Sequence, residues 1–150
     1  MAKYSAVHSR IPLLYCYFFL YIEPISALIG AYYAYFQPQT YLNLTHASSA
    51  PITGIPTSTT IVLNQLANLY FLFALNEALI LRSTSDIRVW RTMLFCLFVA
   101  DLGHLYSVSP LGTQVYTDFK KWNPIDWGNV GFVYAGATMR ACFLLGIGLP

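Results

Sequence analysis

Three ionisable side chains lie within long apolar stretches of this sequence, where a helix in lipid would hold them far from water. They are Glu23, Asp101 and Arg140. At 1.5 Å of helix rise per residue, each lies about 15–18 Å along its apolar stretch. An ionisable group near the centre of a bilayer costs from about 3 kcal/mol upward, which makes each of them a candidate site residue. Two acids and one arginine at a common depth predict proton transfer, with one carboxylate paired to the guanidinium and the other kept neutral by desolvation.

The residue types suggest a division of roles. We assign Asp101 as general base, Arg140 as the group that orients it, and Glu23 as general acid. His104 is the fourth catalytic candidate, because three residues after Asp101 it projects from the same helix face. Six further polar side chains are candidates for contact with substrate, and among them Asn68 and Asn129, with His104, are expected to position water or substrate oxygens. The six are Asn64, Asn68, Glu77, Tyr106, Asn129 and Tyr134.

These residues also have structural interpretations, which the sequence leaves open. Asp101 and Arg140 could form a buried pair with no chemical role. The asparagines could hold helices together, at about 0.6 kcal/mol per contact. Glu23 precedes Pro24, and this pair could mark a kink whose freed carbonyl is satisfied locally.

Glu77 is set apart from the other acids because it lies near the predicted cytosolic end of its apolar stretch. We expect it to pair with Arg82, Arg88 or Arg91 at the level of the lipid headgroups.

Composition limits the class of protein. Of the 150 residues, 57% are hydrophobic and 9% charged, against about 25% charged in a typical soluble domain. Mean hydropathy is +0.53. A net charge of +2 predicts no nucleic-acid partner. Three cysteines without a CxxC spacing predict no disulfide framework, and the three histidines form no metal-ligating set, so no metal is expected. An integral membrane protein remains.

The apolar stretches predict an all-α fold, a four-helix transmembrane bundle that forms a single domain over residues 1–150. The four spans are expected at about 11–36, 60–81, 89–108 and 130–149, each close to the roughly 20 residues that cross a bilayer. Because the spans alternate in direction, Glu23, Asp101 and Arg140 should reach similar depths.

Basic residues predict the orientation of the chain. Lys3 and Arg10 precede the first span, and Arg82, Arg88 and Arg91 surround the turn between the second and third. The positive-inside rule then places both termini in the cytosol, in a multi-pass protein expected in the endoplasmic reticulum. Asn43-Leu44-Thr45 is an N-glycosylation sequon in the connection that this orientation makes lumenal.

The C-terminal third contains DLGHLY at 101–106, Trp122-Asn123, DWGNVGF at 126–132, Arg140 and Leu145-Gly146. With these segments it resembles a family of small fungal four-span membrane proteins. Some members are similar to the membrane-bound epoxide hydrolase/cyclases of fungal polyketide clusters. The overall plan also resembles the emopamil-binding (sterol isomerase) superfamily.

The resemblance implies acid–base chemistry without a cofactor, on a lipophilic small molecule that enters from the bilayer. Epoxide opening by hydrolysis or cyclisation is the expected reaction of a secondary-metabolite enzyme. An isomerase or terpene cyclase with the same protonation chemistry is one alternative. A non-catalytic assembly or carrier protein is the other, and the oligomeric state, including a homo-oligomer, stays open.

Overall fold

The computed structural model describes residues 11–47 and 49–149, which form six helices and no strand. They are α1 (Leu13–Phe36), α2 (Pro38–Thr45), α3 (Thr57–Leu81), α4 (Ile87–Ser107), α5 (Gln114–Thr117) and α6 (residues 124–144). The all-α prediction is therefore confirmed. Lys3 and Arg10, on which the predicted orientation partly depends, lie outside the described residues.

Two of the helix boundaries differ from the sequence prediction. The helix expected over 130–149 occupies 124–144, because Asn123 and Asp126 form a reciprocal capping box that starts it earlier. It ends where Gly146 and Gly148 adopt positive φ angles of 80° and 73°, a conformation that favours glycine. The connection after the first span also contains α2, where the sequence predicted only a loop.

Three helices contain a π-helical turn, in which the backbone hydrogen bonds skip one residue more than in an α-helix. The turns cover Phe18–Ile22 in α1, Asn76–Leu81 in α3 and Trp127–Phe132 in α6. Such turns are rare and are often found at functional sites. Here each one contains or adjoins a residue that the sequence singled out.

The helices pack as two pairs, α1 with α3 and α4 with α6. A large apolar cluster joins the pairs at one end, where Phe19, Leu81, Trp90, Leu94 and Phe143 are buried. Trp90 and Phe143 stack at a centroid distance of 5.8 Å. A smaller cluster of Ala34, Tyr41, Leu63 and Ala67 lies between α1, α2 and α3.

The outer surfaces of the long helices are apolar, as expected of helices that face lipid. Exposed residues include Ile25, Val62, Phe95 and Val99. Three segments are long and apolar enough to cross a membrane: Leu13–Phe36, Thr57–Leu81 and Ile87–Leu111. The chain is accordingly a membrane protein, and α6, which carries Arg140, is not one of these three segments.

We predict that Phe143→Ala lowers the stability of the protein by about 3–5 kcal/mol, because it empties a fully buried site between α1, α4 and α6. The matched control is Phe95→Ala, which removes an exposed ring from the outer face of α4 and should cost about 0.5 kcal/mol or less. Thermal unfolding in detergent measures both. Equal loss of stability in the two variants would contradict the packing described here.

Candidate active site

One guanidinium binds three carboxyl groups at the centre of the helix bundle. Arg140 Nη1 donates to Asp101 Oδ2 at 2.7 Å. Its Nη2 donates to Glu23 Oε1 at 2.6 Å and to Glu77 Oε1 at 2.9 Å. The side chains of Arg140 and Glu77 are 3% and 1% exposed, and those of Glu23 and Asp101 are 12% and 14% exposed. We call these four residues the carboxyl cluster.

Each member of the carboxyl cluster comes from a different long helix. Glu23 follows the π turn of α1, and Glu77 lies inside the π turn of α3. Asp101 and Arg140 lie on the regular parts of α4 and α6. The cluster therefore fixes the rotation and depth of four helices relative to one another.

Gly136 makes room for the guanidinium one helical turn before Arg140. A Cβ atom at this position would lie 2.8 Å from Arg140 Nη1 and 3.0 Å from Glu23 Oε1. Both distances are shorter than ordinary van der Waals contact. On the opposite side, the ring of Phe19 lies 5.6 Å from the guanidinium carbon, a cation–π distance.

Arg82 binds the backbone carbonyl that Pro24 leaves without its usual donor. Proline has no N–H to donate to the carbonyl of Leu20, four residues earlier in α1. Arg82, just after α3, donates from Nη2 to that carbonyl at 3.3 Å and stacks over the ring of Tyr21. Of the alternatives that the sequence left open, a purely local partner for this carbonyl is therefore not the one observed.

The charges of the carboxyl cluster do not balance when every group is ionised. Three carboxylates against one guanidinium leave a net charge of −2, so the cluster is neutral only when it holds two protons. Buried charge without a partner is strongly unfavourable. Within the described residues, Oε2 of Glu23 and Oε2 of Glu77 are buried and have no hydrogen-bond partner.

The structure brings together the three residues that the sequence placed at a common depth, Glu23, Asp101 and Arg140. The predicted place of Glu77 is wrong, because it binds Arg140 instead of an arginine at the membrane surface. Two features explain the error. A helical side chain leans towards its helix N-terminus, which carries the Glu77 carboxyl deeper into the bundle. Arg82, the nearest expected partner, is engaged by α1.

His104 and Asn129 also come together. The imidazole of His104 interacts with the backbone of Asn129, which lies in the π turn of α6. His104 Nε2 is buried and unpartnered among the residues described. One helical turn from Asp101, this nitrogen is positioned to bind water or a substrate oxygen.

The remaining predicted residues lie apart from the carboxyl cluster. Asn64 and Asn68 line an open groove of about 400 Å³ between α1 and α3 that includes no cluster residue. Tyr106 is 79% exposed, and Tyr134 donates to the carbonyl of Tyr116 at 3.2 Å. Both tyrosines therefore face outwards or towards the connection after α4, and their predicted contact with substrate stays a prediction.

Three residues of the site were missed by the sequence analysis: Phe19, Arg82 and Gly136. The sequence could have predicted Gly136, because a glycine four residues before a buried arginine leaves room on that helix face. It could also have predicted a residue such as Arg82, because a proline inside a span leaves a carbonyl that needs a donor from elsewhere. Phe19 is one of many aromatic residues in α1, and no sequence signal distinguishes it.

Comparison with known proteins places the chain in a family. The sequence pattern of DUF7704, described as a domain of unknown function, matches residues 8–150. The chain therefore belongs to the DUF7704 family. No curated protein and no solved structure matches it.

We predict that Gly136→Ala destabilises the protein by about 1–3 kcal/mol, because the added methyl group overpacks the guanidinium and the Glu23 carboxyl. The matched control is Gly103→Ala on α4, where a Cβ meets no atom within 4 Å. This substitution should stabilise the protein by up to about 1 kcal/mol, because alanine favours the helix more than glycine does. Opposite shifts in thermal unfolding are expected, and a Gly136→Ala variant as stable as the wild type would contradict the assigned geometry.

Proposed function

We propose that this member of the DUF7704 family is a membrane-embedded, cofactor-independent acid–base enzyme that opens an epoxide on a lipophilic metabolite. The supporting observation is the carboxyl cluster, in which one guanidinium holds three buried carboxyl groups. Epoxide opening needs a proton donor and a proton acceptor on the two sides of one reacting group. The neutral carboxyl cluster contains protonated carboxyl groups, which can donate a proton, and one ionised carboxylate, which can accept one.

The exposure of each carboxyl group indicates which one acts as the acid and which as the base. Glu23 and Asp101 retain some exposed surface, whereas Glu77 is enclosed. Glu23 and Glu77 accept from the same Nη2, and two carboxylates so placed repel each other unless a proton lies between them. The two protons of the neutral cluster therefore lie on the two glutamates, which makes Glu23 the acid. Asp101, alone on Nη1, is the base.

The chemical step is balanced within the carboxyl cluster. Glu23 gives its proton to the epoxide oxygen as the C–O bond of the ring breaks. A water molecule or a hydroxyl group of the substrate attacks the ring carbon, and Asp101 accepts its proton as the new C–O bond forms. Arg140 contacts both carboxyls and compensates the charge that moves between them. A return of the proton from Asp101 to Glu23 restores the starting state.

Two further observations support this assignment. His104 Nε2 has no hydrogen-bond partner within the described part of the chain and would hold the attacking oxygen one helical turn from Asp101. The C-terminal third resembles small fungal four-span membrane proteins, some of which are similar to epoxide hydrolase/cyclases, and this agrees with a substrate that enters from the lipid. Oxyanion-like charge on the opening ring needs no metal when a buried acid neutralises it.

We propose that the chain crosses the membrane four times, with α6 as the fourth span. We also propose that the protein resides in the endoplasmic reticulum, with both termini in the cytosol. The support is the pairing of α6 with α4 along its length and its share in the buried cluster. This orientation makes α2 lumenal, and Asn43 on α2 is exposed.

We predict that Asp101→Asn lowers the rate of epoxide opening by about 10²–10⁴, the usual contribution of a general base. The assay uses purified protein in lipid nanodiscs, long-chain alkyl epoxides and ¹⁸O-labelled water, with the diol products measured by mass spectrometry. Asp118→Asn is the matched control, because Asp118 pairs with Lys121 in the connection after α4, away from the carboxyl cluster. It should react at the wild-type rate.

Two outcomes would contradict this proposal. One is an Asp101→Asn variant that opens epoxides as fast as the wild type. The other is a wild-type protein that leaves the epoxides unchanged but isomerises an alkene without uptake of ¹⁸O, since this would assign the carboxyl cluster to an isomerase.

We predict that Asn43 carries an N-glycan when the protein is expressed in a eukaryotic cell, because the proposed orientation exposes α2 to the lumen. Glycosidase treatment should increase the gel mobility of the wild type, and Asn43→Gln should abolish that shift. Glycosylation of a sequon engineered into the connection between α3 and α4, with none at Asn43, would reverse the orientation.

A further inference from the structure

The outer face of α3 carries two amide side chains where a lipid-facing helix should be apolar. Gln65 and Asn68 are both exposed, and within the described residues neither has a hydrogen-bond partner. Their three-residue spacing places them on one face of the helix. Ile61 and Leu72, on the same face, are also exposed.

The depth of these amides makes their exposure costly. They lie 8 and 11 residues after Thr57, in a helix of 25 residues. At 1.5 Å per residue they are about 12 and 17 Å from its start, in the middle of a hydrocarbon core of about 30 Å. Hydrocarbon offers no hydrogen bond to an amide, so unpaired amides at this depth are strongly unfavourable.

We infer that this face of α3 is the contact surface between two copies of the chain. A carboxamide offers two donors and an acceptor and therefore pairs well with another carboxamide. A twofold axis beside α3 brings the same two amides of each copy together, which is how an isologous interface satisfies its own polar groups. Amide pairs between helices are an established source of association in membranes.

The neighbouring groove fits the same occupant. It lies between α1 and α3, includes Asn68, and is lined on the α1 side by Tyr32 and Tyr35. Apart from Asn64 and the tyrosine hydroxyl groups its walls are apolar, so it accepts apolar side chains from the second copy while the amides pair. No residue of the carboxyl cluster lines the groove. The inference is therefore independent of the proposed enzymatic role.

Cysteine crosslinking in lipid bilayers tests this contact. All variants carry Cys96→Ser, which removes an exposed native thiol on α4. Leu72→Cys adds a thiol on the amide face, one turn from Asn68, and Phe95→Cys adds one to the outer face of α4. Oxidation should give a covalent dimer with Leu72→Cys and none with Phe95→Cys.

The amides are then removed in the Leu72→Cys background. Gln65→Leu together with Asn68→Leu should lower the crosslinked fraction about tenfold, while thermal unfolding shows that the monomer stays folded. An unchanged crosslinked fraction would overturn the inference. It would also be overturned if Leu72→Cys fails to crosslink and a lipid that co-purifies with the wild type is lost in Asn68→Leu, since a bound lipid would then satisfy the amide.

Discussion

The structure depends on the enclosure of one guanidinium among three carboxyl groups, away from water. Arg140 can be buried only because Glu23, Glu77 and Asp101 reach it from three other helices, and each acid can be buried only because of Arg140. This mutual dependence sets both the depth and the rotation of the helices. Three further residues support this arrangement. Gly136 leaves room for the guanidinium, Phe19 covers it, and Arg82 binds the backbone of α1 just before Glu23.

The sequence predicts a large part of this arrangement for a simple physical reason. Apolar stretches of about 20 residues define helices, and charges within them must find one another. The depths of Glu23, Asp101 and Arg140 then follow from the alternating direction of the spans. The structure agrees with that reasoning for all three residues. The structure also brings His104 and Asn129 together near one end of α4 and α6, a contact that the sequence did not predict.

The sequence does not predict where the helices depart locally from regular geometry. The wide turns at Phe18–Ile22 and Asn76–Leu81 have no sequence signature comparable to a glycine or a proline. Side-chain directions calculated with 3.6 residues per turn are therefore inaccurate at Glu23 and Glu77, which lie next to or within these turns. The start of α6 is a different case, because the capping pair Asn123 and Asp126 was visible in the sequence.

A purely structural role explains the carboxyl cluster poorly. Buried ion pairs are weak contributors to stability, and well-packed apolar residues in their place are often as stable or more so. A scaffold would also need one acid to balance Arg140, yet three are present, and two of them retain a buried oxygen that has no partner among residues 11–47 and 49–149. The surplus acids add protons that can be gained and lost next to a fixed positive charge. Proton transfer uses each of these features, whereas packing alone uses none of them.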